Sequence, residues 1–143
     1  MPAPQSGFIL LVEDNAGDRM LFGEALEHAR CDIALRIAAT AEEALRIILN
    51  PERASGQPRL IVLDLHMPGK DGKAMLGELA RLPQAAGVPV MMLTSSNRPR
   101  DQEECLALGA CGFRVKPNDW GGYQELIGFL RPFWQAAQRA GGT

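Results

Sequence analysis

The chain has 143 residues, 46% of them hydrophobic and 22% charged, enough for one domain that buries roughly 70% of its unfolded surface. A formal net charge of −2 supplies no basic field for nucleic acid, and no apolar run approaches the roughly 18 residues of a membrane helix. The three cysteines, Cys31, Cys105 and Cys111, form no C-x-x-C pair and have only two histidines for company, which argues against zinc and for apolar thiols in a reduced cytoplasm.

Residues 1–7 put no basic group ahead of an apolar run, so they read as a disordered lead-in, not a signal peptide. Residues 8–12 (FILLV) are apolar throughout, the mark of a strand buried on both faces, and they run into Glu13, Asp14 and Asn15. A helix follows over about 17–29. Its apolar positions Leu21, Phe22, Ala25, Leu26 and Ala29 recur at helical spacing, and Asn15 or Asp18 caps it. Residues 33–39 alternate, with Leu35 and Ile37 against Ala34 and Arg36, as an edge strand does. Thr40 and Glu43 then make a capping box for a helix carrying Ala44, Leu45, Ile47, Ile48 and Leu49, which Pro51 stops.

After a loop rich in Pro, Gly and Ser (51–59), residues 60–63 (LIVL) form the second fully apolar run. Asp64 stands where that run ends, and residues 67–72 (MPGKDG) read as a tight turn. Asp71 caps a helix that starts near Gly72, carries Met75, Leu76, Leu79 and Leu82, and closes at Pro83. A strand at 89–93 (PVMML) ends in Thr94-Ser95-Ser96-Asn97. A helix over 99–108 stops at Gly109, and a short strand at 111–115 leads to Lys116-Pro117. The last helix begins near Asn118 or Asp119 and carries Trp120, Tyr123, Leu126, Ile127 and Leu130. Pro132 is expected to kink or end it, so that 8–131 is the domain and 132–143 a C-terminal extension.

Five alternations of strand and helix define the α/β class: (βα)5, doubly wound, a five-stranded parallel sheet with helices on both faces. The flavodoxin-like strand order 2-1-3-4-5 fits right-handed crossovers and puts the crevice between the first and third strands. The carboxyl ends of the strands then carry Glu13 and Asp14, Asp64, Thr94 and Lys116. Three carboxylates in one crevice repel one another, and a hard divalent cation relieves that repulsion. Mg²⁺ accepts a couple of carboxylates with water and phosphate oxygens. Asp14 and Asp64 are expected as direct ligands, Glu13 through water, and the backbone carbonyl of His66 to complete the protein donors. With Lys116 as a fixed positive charge and Thr94 as a hydroxyl donor, Asp64 is set to receive a phosphoryl group by in-line attack. Taken singly, an Asp after a strand is a cap, a Thr there has no role and Lys-Pro is a loop; their occurrence together is what points to chemistry.

These residues resemble the receiver domain of two-component response regulators. The matching segments are V-E-D-N at 12–15, D-x-x-M-P-G-x-D-G at 64–72, L-T-S-S at 93–96 and K-P at 116–117, and the resemblance covers about 8–130. It implies that Asp64 takes a phosphoryl group from a phosphohistidine of a sensor histidine kinase, that Glu13 and Asp14 hold Mg²⁺, and that the Lys116-Pro117 bond is cis. It also implies a switch pair, Thr94 and Phe113, in which Phe113 lacks the hydroxyl of the Tyr common at that position. His66 and Ser96 fall at the positions that tune hydrolysis of the acyl phosphate.

N-A-G-D-R at 15–19, T-S-S-N at 94–97 and Phe133-Trp134 are similar to stand-alone receivers partnered with phytochrome-type sensor kinases, which implies a homodimer through the C-terminal part. Phe129, Phe133 and Trp134 either pack on their own domain or offer a partner surface. No output domain follows, so the expected roles are a regulator acting through a partner, a phosphorelay intermediate, or a receiver that binds partners without phosphorylation. An aspartyl-phosphate phosphatase of the haloacid dehalogenase class would need a second acid two residues after Asp64, where His66 stands. A flavin-binding reading would place phosphate against Glu13 and Asp14, which repel it.

Overall fold

The computed structural model describes residues 7–50, 56–67 and 69–141, with side chains through residue 136. The expected lead-in before Gly7, the helix stop at Pro51 and Pro68 of the turn lie outside the described residues, as does the end of the C-terminal extension. The strands are β1 (Phe8–Val12), β2 (Ala34–Ala38), β3 (Pro58–Leu63), β4 (Val90–Thr94) and β5 (Gly112–Val115). The helices are α1 (Ala16–His28), α2 (Ala41–Leu49), α3 (Gly72–Arg81), α4 (Pro99–Ala107) and α5 (Trp120–Gly141), with one 3-10 turn at Pro83–Ala85. All strand pairs are parallel, in the order β2-β1-β3-β4-β5.

The alternating faces of the central strands explain the two layers. Phe8, Leu10, Val12, Ile61, Leu63 and Met92 point to the side covered by α2, α3 and α4. Ile9, Leu11, Leu60, Val62, Met91 and Leu93 point to the side covered by α1 and α5. β1 and β3 therefore need no polar face, which is why they read as unbroken apolar runs.

The caps act as their residue types dictate. Asn15 Oδ1 accepts from the Asp18 N–H at 2.9 Å, and Asp71 Oδ1 accepts from the Ala74 N–H at 2.8 Å. Thr40 Oγ1 accepts from Glu43 N–H at 3.1 Å, while the Glu43 carboxylate reaches back one residue past the cap to the Ala39 N–H. α4 ends one residue earlier than expected, with Ala110 N–H bonded to Cys105 O and Gly109 at φ +110°.

Pro132 does not end the last helix, one of the two outcomes expected of it, because α5 runs through it to Gly141. A proline here frees the carbonyl four residues back, that of Gly128, and both Gly128 and Pro132 lie on the solvent-exposed side, where water can take the freed acceptor. On the opposite side Leu130 and Trp134 are buried in the α1–α5 core and Phe133 packs partly against it. Trp134, 2% exposed, thus packs on its own domain. Its truncation to Ala is expected to cost about 3–5 kcal/mol, read as a lower urea midpoint at unchanged slope. A loss below about 1 kcal/mol would mean that the second half of α5 contributes no core.

Candidate functional site

Glu13, Asp64 and Lys116 each stand one residue past a strand and are held there by the ladder. Glu13 N–H donates to Ala38 O at 2.9 Å, Asp64 N–H to Val12 O at 3.3 Å, and Lys116 N–H to Thr94 O at 2.8 Å. Asp64 has little freedom behind it. Gly72, the first residue of α3, approaches so closely that a Cβ would fall 2.6 Å from the Asp64 carbonyl oxygen. The glycine that opens α3 is therefore there for the approach of two backbones.

Lys116 gathers the acids. Its Nζ lies 2.7 Å from Glu13 Oε1, 2.9 Å from Asp64 Oδ2 and 3.0 Å from Asp18 Oδ2. Glu13 and Asp64 are buried, and Asp14 is exposed at the mouth. Glu13, Asp14 and Asp64 each offer an oxygen within 4.8 Å of the others, a donor set that fits a hard divalent cation. Glu13 Oε2 also accepts from Asn15 N–H, and Asp64 Oδ1 from His66 N–H at 3.2 Å. His66 touches the acceptor through its backbone, and its side chain is exposed.

Burial dominates the electrostatics of Glu13, raising its pKa against the lowering effect of the Lys116 hydrogen bond. Burial also opposes the charge on Lys116, but hydrogen bonds to Glu13, Asp64 and Asp18 outweigh it and hold the lysine above its ordinary range. Tyr123 is raised by burial and then by the facing Asp18 charge.

Thr94 is wholly buried, and its Oγ1 accepts from Ser96 N–H at 3.3 Å. Ser96 Oγ donates in turn to Asp101 Oδ2 at 2.6 Å. Lys73 of α3 reaches Asp101 and Glu104 of α4 at 2.8 and 2.6 Å. Phe113 is half-buried and packs against the α2–α4 side of the core.

The Lys116-Pro117 bond is trans, and no described peptide bond is cis, which corrects the expectation of a cis proline. Trans is the intrinsic preference of X–Pro by about 0.5–1 kcal/mol, and with it Lys116 already pairs its N–H with Thr94 and its ammonium with the acids.

Sequence reasoning took Asp18 only as a helix cap and Tyr123 only as core. Asp18 Oδ1 accepts from the buried Tyr123 hydroxyl at 3.2 Å while Oδ2 meets Lys116. No local pattern could have found it, since Asp14 lies before the α1 cap Asn15 and helical spacing does not relate it to Asp18.

A parallel sheet of this order, with acids, a hydroxyl and a lysine at its carboxyl edge, has the architecture of a signalling receiver module. The response regulator receiver domain model matches residues 9–127, and the chain belongs to that family. Response regulator Rcp1 of Synechocystis sp. is 30% identical over 128 residues, which span 88% of this chain and 87% of Rcp1. The solved structure of the Mn²⁺-bound form of Rcp1 matches with a TM-score of 0.77 at 29% identity, covering 90% of this chain and 94% of that one. The phosphorylated cyanobacterial phytochrome response regulator RcpA matches with a TM-score of 0.80 at 26% identity, covering 91% and 94%. No described helix is long and apolar enough to cross a membrane.

The raised pKa of Glu13 sets a sign. A carboxyl that holds its proton more tightly folded than unfolded contributes stability below its unfolded pKa and loses it as pH rises through the folded value. In cation-free buffer, Glu13→Gln is expected to gain stability relative to wild type as pH climbs from the ordinary glutamate range to neutrality. Urea unfolding at several pH values reads this, and a difference that stays flat would contradict it.

Proposed function

We propose that this chain is a response regulator that accepts a phosphoryl group on Asp64 from a phosphohistidine of a sensor histidine kinase, in a Mg²⁺-dependent reaction, and thereby changes its partner surface. The observation that carries the reading is the convergence on Asp64 of one ammonium and two further carboxylates at the end of a buried strand. Asp14 and Asp64, with Glu13 through water and the His66 carbonyl, would hold Mg²⁺, whose charge offsets that of the incoming phosphoryl oxygens.

Asp64 Oδ1 and Oδ2 are oriented by His66 N–H and Lys116, so the carboxylate is fixed before a donor arrives. Attack by one of its oxygens on phosphorus forms the acyl phosphate as the P–N bond to histidine breaks, and the imidazole nitrogen keeps the electron pair. Lys116 faces the negative charge that builds on the phosphoryl oxygens. Thr94 turns its hydroxyl to an oxygen of the bound group, and Phe113 moves into the space it leaves. His66 and Ser96 set the lifetime of the acyl phosphate by governing the approach of water. Ser96 does so with a hydroxyl already engaged by Asp101.

The phytochrome response regulator RcpA, among the structural neighbours, supports a phytochrome-type kinase as the donor. A homodimer through the C-terminal face is the further part of this reading. Phe129 on α5 and Val115 on the edge strand β5 remain exposed, and Arg114 lies over the Phe129 ring at 4.3 Å. Cytoplasmic placement accompanies a kinase donor of this kind.

Incubated with acetyl phosphate and Mg²⁺, the protein is expected to gain one phosphoryl group by intact mass, labile to hydroxylamine, and Asp64→Asn to gain none. Equal labelling of the two would remove Asp64 as acceptor. In sedimentation, the wild type is expected to run as a dimer and Phe129→Asp as a monomer. A monomeric wild type, with or without phosphorylation, would remove the dimer.

A further inference from the structure

We propose that Asp18, held by the buried hydroxyl of Tyr123, is a positioning residue that anchors the Lys116 ammonium beside Asp64. It thereby leaves the oxygens of Glu13 and Asp64 free to take a divalent cation. The inference rests on Asp64 being the phosphoryl acceptor.

The lysine has three N–H bonds and three partners, but the partners differ in kind. Glu13 and Asp64 belong to the carboxylate cluster that fits a cation, and Asp18 does not. A cation, directly or through water, and the ammonium both draw on the carboxylates of Glu13 and Asp64. When the cation takes them, Lys116 keeps Asp18. A lysine on a four-carbon stem has no fixed direction of its own, so the remaining carboxylate decides where its charge stands.

Tyr123 explains why that carboxylate is reliable. Its ring lies in the α1–α5 core and is wholly buried, where a phenylalanine would pack as well. A buried hydroxyl is costly unless bonded, and the bond it makes is to Asp18 Oδ1 at 3.2 Å. Asp18 sits in the first turn of α1, with Asn15 closing that turn on its N–H. Both ends of the anchor are therefore tied to the scaffold, and neither touches the reacting atoms.

The test compares wild type, Asp18→Asn, Asp18→Glu and Tyr123→Phe. Mg²⁺ affinity is measured by titration calorimetry, and acyl-phosphate formation from acetyl phosphate at saturating Mg²⁺, with Asp64→Asn as blank. Asp18→Asn is expected to weaken Mg²⁺ and to slow phosphorylation about tenfold each, the effect typical of groups that orient a metal site from behind. Asp18→Glu recovers part of both. Tyr123→Phe keeps the carboxylate charge, so it leaves Mg²⁺ affinity near wild type and lowers the saturated rate about threefold, less than the roughly tenfold of groups that orient a metal site directly. The idea is overturned if Asp18→Asn keeps both quantities within about twofold of wild type. Should Asp18→Asn lose its fold by circular dichroism, Tyr123→Phe decides, and an unchanged saturated rate overturns the anchor. Should wild type fail to take the phosphoryl group, the acceptor reading falls separately. Mg²⁺ affinity then decides alone, with an unchanged value in Asp18→Asn counting against the anchor.

Discussion

Lys116 reaches from the end of β5 into hydrogen-bond range of carboxylates from β1, α1 and β3. No other described side chain touches so many parts of the strand-end crevice. Acids this close raise one another's cost of ionisation, and the Glu13 pKa is raised first by burial and in smaller part by the facing Asp64 charge. One ammonium lowers the penalty without removing it, since the carboxylates outnumber it. The site therefore keeps an excess of negative charge that a divalent cation relieves, while the lysine keeps Asp64 oriented in the cation's absence.

That arrangement depends on the ladder of the sheet. β1 and β3 are neighbours because the strand order reverses there, so Glu13 and Asp64 emerge side by side. Each is pinned by a backbone bond one step past the last pair, and α3 presses on Asp64 through Gly72. Precision at the carboxylates comes from backbone contacts, with side chains making the final adjustment.

Much of this was legible in the residues. The unbroken apolar runs 8–12 and 60–63 gave away buried parallel strands, and the residue after each run gave away the acid edge. Thr40 and Asp71 announced their caps through ordinary side-chain chemistry. What stayed hidden was of another kind. Asp18 has two oxygens that serve different partners, on β5 and α5, and no local pattern reports contacts about a hundred residues away. The course of α5 through Pro132 was hidden for a related reason, because propensity sees the missing N–H but not the burial of Trp134 beyond it. The trans bond at Pro117 reflects a balance between isomers small enough for the surrounding structure to set.

Lys116 also faces the other layer, through its backbone. Its N–H bonds the carbonyl of Thr94, whose hydroxyl accepts from Ser96 N–H, whose own hydroxyl reaches Asp101. Lys73 ties that carboxylate to α3, and hydrogen bonds from Lys73 and then from Ser96 hold the Asp101 pKa below the usual range. The two helical layers share no core, since the sheet separates their apolar clusters. Among the described residues, polar groups link them where the strands end. A change of charge at Asp64 meets one lysine whose side chain leads through Asp18 to Tyr123 on α5, and whose backbone leads through Thr94 and Ser96 to α4 and α3. These two polar chains join the crevice to both helical layers, beside the apolar contact that Phe113 makes with the α2–α4 side of the core.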